Sequence, residues 1–409
     1  GNPVWAQPVT VATATGSIIG IGGSAAFNIF PNQLGATIAY YYTYAGGADF
    51  FCFNRIDFSG NLAFPYNNFA ITYGGYYDYR SCDDHQNGVY VLMKGNGIGS
   101  GIVVQRYDES GAAIFSIPVD ITTTAGGFNG YITMISDTTG LLYVVWDSYG
   151  GNGVVATKLN PDGSFAWSPN YRDVSDYPSS QSYSNAILLN DHLYVAWDDN
   201  RPSASNAYIY VQKLSSSGVI EWNPGGVQAC NLGSYIPVPK LVASDSGSVV
   251  VAYEVSAGFL AQKFMPDSSI KYAVNGDTIS PLENSPFYGD YELQGGNGGC
   301  TAAFWSNEAG DIFGGSLCTQ QANVGVLEIS ADEIPVTIFP NPSASGIFEI
   351  KLSQPVSAIN VFDLMGRRIM SAENPNTSFK LDLSSAAIGA YLLEVTTKEG
   401  TITKKLQVE

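Results

Sequence analysis

At 409 residues, with 45% hydrophobic and only 13% charged residues, 45 Gly and 26 Tyr, the chain is expected to hold two or more β-rich, turn-rich domains, and it is excluded from the disordered and helix-rich classes. The net charge of −18 is unevenly placed: residues 334–409 carry seven of the 18 basic and seven of the 36 acidic residues, leaving 11 basic and 29 acidic residues before them. So acidic a first part argues against nucleic acid or an anionic membrane as partner. No apolar run approaches the ~20 residues that span a bilayer, so no transmembrane segment is expected. The opening "GNPVWAQPV" lacks a basic stretch followed by an apolar one, as expected of a chain whose signal peptide has been removed.

An internal repeat dominates the chain up to about residue 321. The runs "ATIAYYY" (36), "GVYVLMK" (88), "LLYVVWD" (141), "HLYVAWD" (192), "SVVVAYE" (248) and "CTAAFWS" (300) place Tyr41, Met93, Trp146, Trp197, Tyr253 and Trp305 in one column, at steps of 52, 53, 51, 56 and 52 residues. Each run follows a short strand and polar turn, as in "KLVASDSGS". An alternating strand comes next, such as "GVVATKL" or "FLAQKF", and then a tight turn into a last strand with an aromatic. In those turns Gly60, Gly111, Gly163, Gly218 and Ser268 are followed four positions later by Phe64, Phe115, Trp167, Trp222 and Tyr272. Gly suits a turn that needs positive φ. Four antiparallel strands per ~50-residue unit predict β-propeller blades. The sixth unit lacks a fourth strand, and Trp5, four residues after Gly1, has the matching spacing. The N-terminal strand is therefore expected to close a six-bladed β-propeller over residues 1–321. The aromatic columns read as packing of sheet on sheet. The "WDDNR" of 197–201 resembles W-D-x-R-type repeats of bacterial extracellular propellers.

Propeller loops on one face are the usual place for binding. Asp147, Asp198 and Glu254 hold the same position in three consecutive repeats and are expected near that face. With Tyr149, Tyr177 and Arg201 they could hold Ca²⁺ or a sugar, tyrosine supplying a stacking platform. The alternative reading is that acidic residues simply open these turns. With five Cys, two His and no CxxC or HExxH, no transition-metal site is indicated. Two carboxylates about 5–10 Å apart would serve a glycoside hydrolase or lyase. However, the five arginines before residue 321 fall at unrelated positions, and no GxSxG nucleophile occurs. Catalysis is therefore not expected. A binding or adhesion module for glycan or a cell-envelope protein is expected instead. The alternatives are an extracellular carbohydrate-active enzyme and a structural part of an adhesion or gliding apparatus. Pairing residue 306 with 312 puts Cys300 opposite Cys318, which predicts a cross-strand disulfide worth about 3 kcal/mol for so short a loop. Cys52, Cys82 and Cys230 give no pairing.

After a linker at 322–334 the texture changes. Seven short strand-like runs in residues 335–409 predict a small seven-stranded β-sandwich, with Pro340 and Pro342 suited to an edge or to the entry of the first strand. The ordered set "FPNPSASGIFEI", "INVFDLMGRRI", "IGAYLLEV" and "TKKLQVE" resembles the type A sorting domain of the type IX secretion system. The matching positions are Pro340, Asn341, Pro342, Gly346, Asp363, Gly366, Arg367, Gly389, Tyr391, Lys404 and Lys405. The resemblance implies a Bacteroidetes-type cell and passage through the periplasm and across the outer membrane. It also implies contact with the type IX machinery, and a cargo that is secreted or held at the cell surface.

Overall fold

A computed structural model describes residues 27–318 and 336–408, apart from segments at 44–48, 65–69, 72–75, 96–100, 123–127, 149–152, 204–205, 235–237, 287–290, 296–298, 308–309, 353–354, 364–366, 374–375 and 397–400. The expected N-terminal closing strand with Trp5, the linker at 322–334, Tyr149 and Gly366 lie outside the described residues. The chain divides into two compact units, Gly1–Thr319 and Gln320–Glu409. Among the described residues the fold is all-β, with short 3-10 turns such as Asp245–Gly247 and Leu282–Asn284. None of these is long and apolar enough to cross a membrane.

In the first unit, antiparallel sheets follow one another at 27–71, 76–120, 128–173, 181–234, 240–280 and 291–318, with the strands of each in chain order. Among the described residues the first five have four strands and the last has three. The first strand of each sheet lies beside the first strand of the next, which is a β-propeller-like arrangement. The second strands, such as Leu142–Ser148 and Val249–Val255, are buried almost throughout because neighbouring sheets cover both of their faces. This explains why the repeat announces itself as a continuous apolar run rather than as an alternating one.

The turn column has a physical cause. Gly60, Gly111, Gly163, Gly218 and Ser268 all have positive φ, between 70° and 88°. Each N–H closes the turn onto the carbonyl three residues earlier, as Gly163 does on Asn160 at 2.9 Å. The aromatic that follows is packing material. Trp222 lies edge-on to Tyr194 (5.6 Å between ring centroids) and tilted against Phe264 of the next sheet (5.6 Å). Its indole N–H donates to Pro266 O at 3.0 Å. Trp167 likewise reaches Ser216 O of the following sheet at 3.0 Å. A second column accompanies it. Buried Asn54, Gln105, Gln212 and Gln262 on the third strands donate to Phe64 O, Phe115 O, Asn223 O and Ala273 O at 2.7–3.0 Å. These amides supply the hydrogen bonds that an irregular buried stretch would otherwise lack. In the last sheet Ser306 pairs with Ile312, the register places Cys300 across from Cys318, and the two form a disulfide. Cys52, Cys82 and Cys230 are free thiols.

The second unit has seven strands in two sheets. One sheet joins Val336–Phe339, Ile347–Leu352 and Ser378–Asp382; the other joins Arg368–Glu373, Ala358–Asp363, Gly389–Thr396 and Thr401–Val408. Alternate residues point inward from both sheets, and Phe348, Ile350 and Leu381 of one meet Val361, Leu393 and Leu406 of the other in a shared core.

Candidate functional site

Asp147 in Leu142–Ser148 and Asp198 in His192–Ser203 each follow the column tryptophan of consecutive second strands, and both are buried. The two carboxyls live in different surroundings. Asp147 is fully buried. Its Oδ2 accepts from the backbone N–H groups of Tyr131 (3.0 Å) and Tyr183 (2.9 Å), and its Oδ1 from the N–H (3.2 Å) and hydroxyl (2.5 Å) of Ser184. Four protein donors fill its lone-pair directions, so Asp147 brackets one sheet to the next. Gly130 makes room for this bracket, since a Cβ there would lie 2.8 Å from Oδ2.

Asp198 is 3% exposed, and among the described residues Ser182 meets its carboxyl, the hydroxyl donating to Oδ1 at 2.7 Å. Burial pushes its pKa up to about 7, the nearby Asp147 and Asp199 charges adding to the rise and the Ser182 bond opposing it. Beside it, Tyr131 and Tyr183 form a tilted aromatic pair with centroids 4.7 Å apart, and Tyr131 is 44% exposed. Burial raises the Tyr131 phenol, and the charges of Asp147 and Asp198 raise it further. The backbone bulges here: the register shifts between Ser182 and Asn185, and Tyr183 has φ of 55°. This bulge turns Tyr183 toward Tyr131 and Ser182 toward Asp198.

The remaining candidates are placed elsewhere. Arg201 is clamped by Asp199 at 2.6 Å and by Gly225 O at 2.8 Å, with its guanidinium between the rings of Tyr177 (4.2 Å) and Tyr210 (3.8 Å). Asp199 also accepts from the Trp197 indole at 3.0 Å and the Ser179 hydroxyl at 2.6 Å, and these donors with Arg201 hold its pKa down against its burial. Glu254 does not join the pair. Its nearest polar partner is the Ser285 hydroxyl at 3.4 Å, and burial raises its pKa. Among the described residues no three His, Cys, Asp or Glu side chains gather closely enough to hold a metal. Sequence reasoning passed over Tyr131, Ser182 and Tyr183. The available signal was positional, because both tyrosines fall in the opening segments of first strands, 14 or 15 residues before a column tryptophan.

In the second unit, the motif residues are mostly architectural. Gly346 has φ of +69°, and a Cβ there would meet Ser384 Cα at 2.8 Å. Asp363 closes its turn by accepting from the Arg367 N–H (2.9 Å) and Nε (3.0 Å). Tyr391 puts its ring in the core and its hydroxyl on Ala387 O at 2.6 Å. Gly389 opens the strand Gly389–Thr396. Lys405 is exposed and Lys404 half-buried on the last strand, in register with Leu392 and Leu393. Between Pro340 and Pro342, Asn341 spans to that same strand. Its Nδ2 donates to Lys405 O at 2.7 Å, and its Oδ1 accepts the Gln407 N–H at 2.9 Å.

Comparison with known proteins bears on both units. No curated protein matches the chain significantly. Among solved structures, the chain is similar to PorZ, a surface component of the type-IX secretion system of Porphyromonas gingivalis, at 14% identity and a TM-score of 0.32, over 94% of this chain and 51% of that one. This chain thus spans about half the length of that protein. It is also similar to an α-L-arabinanase from Penicillium chrysogenum (9% identity, TM-score 0.41, 76% of this chain and 98% of that one). A third is prolyl oligopeptidase B from Galerina marginata (11% identity, TM-score 0.39, 80% and 46%). The secretion system C-terminal sorting domain matches residues 337–409, covering the sandwich with its Pro-Asn-Pro loop and its basic last strand. Residues 337–409 therefore belong to the sorting domains of the type IX secretion system, and the chain is an exported protein bound for the cell surface or the medium.

Proposed function

We propose that the unit before residue 319 is a six-bladed propeller that serves, once exported, as a binding module for uncharged glycan. The observation that carries this reading is the Asp198–Tyr131 site. Among the described residues, a buried carboxyl met by Ser182 stands beside a half-exposed tyrosine pair. Sugars are recognised by that combination of a hydrogen-bonding acid and an aromatic face. With a pKa of about 7, the Asp198 carboxyl can donate to or accept from a hydroxyl near neutral pH. The excess of acidic residues in this unit favours uncharged over acidic ligands. Catalysis fits less well: among the described residues Asp147 is met by four protein donors and Asp199 is paired with Arg201, which leaves neither as a free second carboxylate beside Asp198. For the ring itself, the three-stranded last sheet ends on Ile312–Cys318, whose Ile312 is 86% exposed. The N-terminal segment around Trp5 would supply the fourth strand.

The test is capture by a broad glycan array, run with the full chain, with and without Ca²⁺. We expect binding to uncharged glycans that is lost in Tyr131→Ala and weakened in Asp198→Asn, with no release of reducing ends. A blank array would overturn the glycan reading and direct the search to envelope proteins. A requirement for Ca²⁺ would place the site at other carboxylates.

A further inference from the structure

We propose that Asn341 is a positioning residue for export: its carboxamide stands in for a neighbouring strand along the edge of the last strand and fixes how Lys404 and Lys405 are displayed. Thr401–Val408 is an edge strand, paired on one side with Gly389–Thr396. The backbone groups of Lys405 and Gln407 that point away from that partner are the ones met by the Pro-Asn-Pro loop. Asn341 takes Lys405 O and the Gln407 N–H, and the Ser343 N–H takes Gln407 O at 2.8 Å. Ser343 also bridges Val408 in a parallel sense.

The flanking prolines explain why a side chain does this. Neither Pro340 nor Pro342 has an N–H, so the loop backbone has no donor to give at either position. A carboxamide presents its oxygen and one of its two N–H groups along one edge, as the N–H and C=O of a single extended residue do, and asparagine therefore reproduces a strand's pairing. Aspartate at this place would offer the acceptor and lack the donor. Without the clasp, the last residues of an edge strand are free to fray, and a lysine pair on a fraying strand has no fixed position to be read. With it, Lys405 stands exposed across from Leu392 at a set register.

The experiment expresses the full chain with Asn341→Ala and with Asn341→Asp in a host carrying a type IX system. It measures the fraction reaching the surface, residue-level hydrogen exchange, and thermal unfolding of the purified chains. In Asn341→Ala we expect exchange at the Gln407 amide to rise about tenfold, as loss of one ordinary hydrogen bond allows, while exchange in Gly389–Thr396 is unchanged. Surface protein should fall in parallel. Asn341→Asp keeps the acceptor for Gln407 and is expected to fall between wild type and alanine, which keeps the idea testable should the alanine variant unfold. Wild-type export despite an unprotected Gln407 amide would overturn the proposal. So would lost export with that amide still protected, because Asn341 would then be contacting the machinery itself.

Discussion

At the scale of single residues, Asp198 shows how burial rather than residue type makes a group interesting. A carboxyl that is 3% exposed and met by Ser182 is costly to ionise where it stands. The sign of the effect follows from its pKa, raised from 3.8 to about 7 by burial first and neighbouring acids second. The folded state holds the proton more tightly than the unfolded state, so this group leaves stability intact below about pH 4. Stability is then lost progressively up to about pH 7, and the loss is constant above that. Each pH unit in that window is worth about 1.4 kcal/mol. Asp198→Asn, which stays neutral, is expected to melt with the wild type near pH 4 and well above it at pH 8. Parallel melting curves at both pH values would show that Asp198 is ionised and solvated in the folded protein. Asp147 is equally buried with four donors around it, and burial still outweighs those donors and raises its pKa.

At the scale of elements, the repeat is held by two cooperating columns, one visible in the sequence and one easily missed. The positive-φ turn residue and the aromatic four positions on were plain from spacing. The buried amides were hidden inside alternating strands, where Asn54 or Gln105 looks like an ordinary polar partner of an apolar neighbour. Gln105 in fact accepts from the Phe115 N–H (3.0 Å) and donates to Phe115 O (2.9 Å). Replacing it by the similarly sized leucine leaves both groups buried and unpaired, at about 1–3 kcal/mol each. Gln105→Leu is thus expected to lower the unfolding free energy by about 2–6 kcal/mol in denaturant titration. A loss under about 0.5 kcal/mol would mean that water replaces the amide. The disulfide belongs to this scale too, since its pairing follows from one hairpin register.

At the scale of the whole molecule, the chain joins an acidic propeller-like unit to a charge-balanced sorting domain. Export is a property of the second unit. Removing residues 335–409 is expected to leave the first unit in the periplasm of its host, detected by fractionation. Normal surface appearance of that truncation would show that export information lies elsewhere in the chain. A disulfide in the first unit suits a protein that passes through an oxidising compartment.

The sequence alone determined the features that depend on near neighbours in the chain. These are the strand runs and their period, the turns that need positive φ, the Cys300–Cys318 register and the ordered motifs of the sorting domain. Each follows from alternation, backbone sterics or a hairpin count, and none requires knowing what lies opposite. The tertiary structure decided which of the equivalent carboxylates are spoken for. Asp147 is met by Tyr183, 36 residues further on, while Asp198 is met by Ser182, 16 residues back, and Glu254 by Ser285. It also decided that Asn341 meets Lys405, 64 residues away. Desolvation and the supply of donors belong to the space around a side chain, and that space exists only once distant strands have packed.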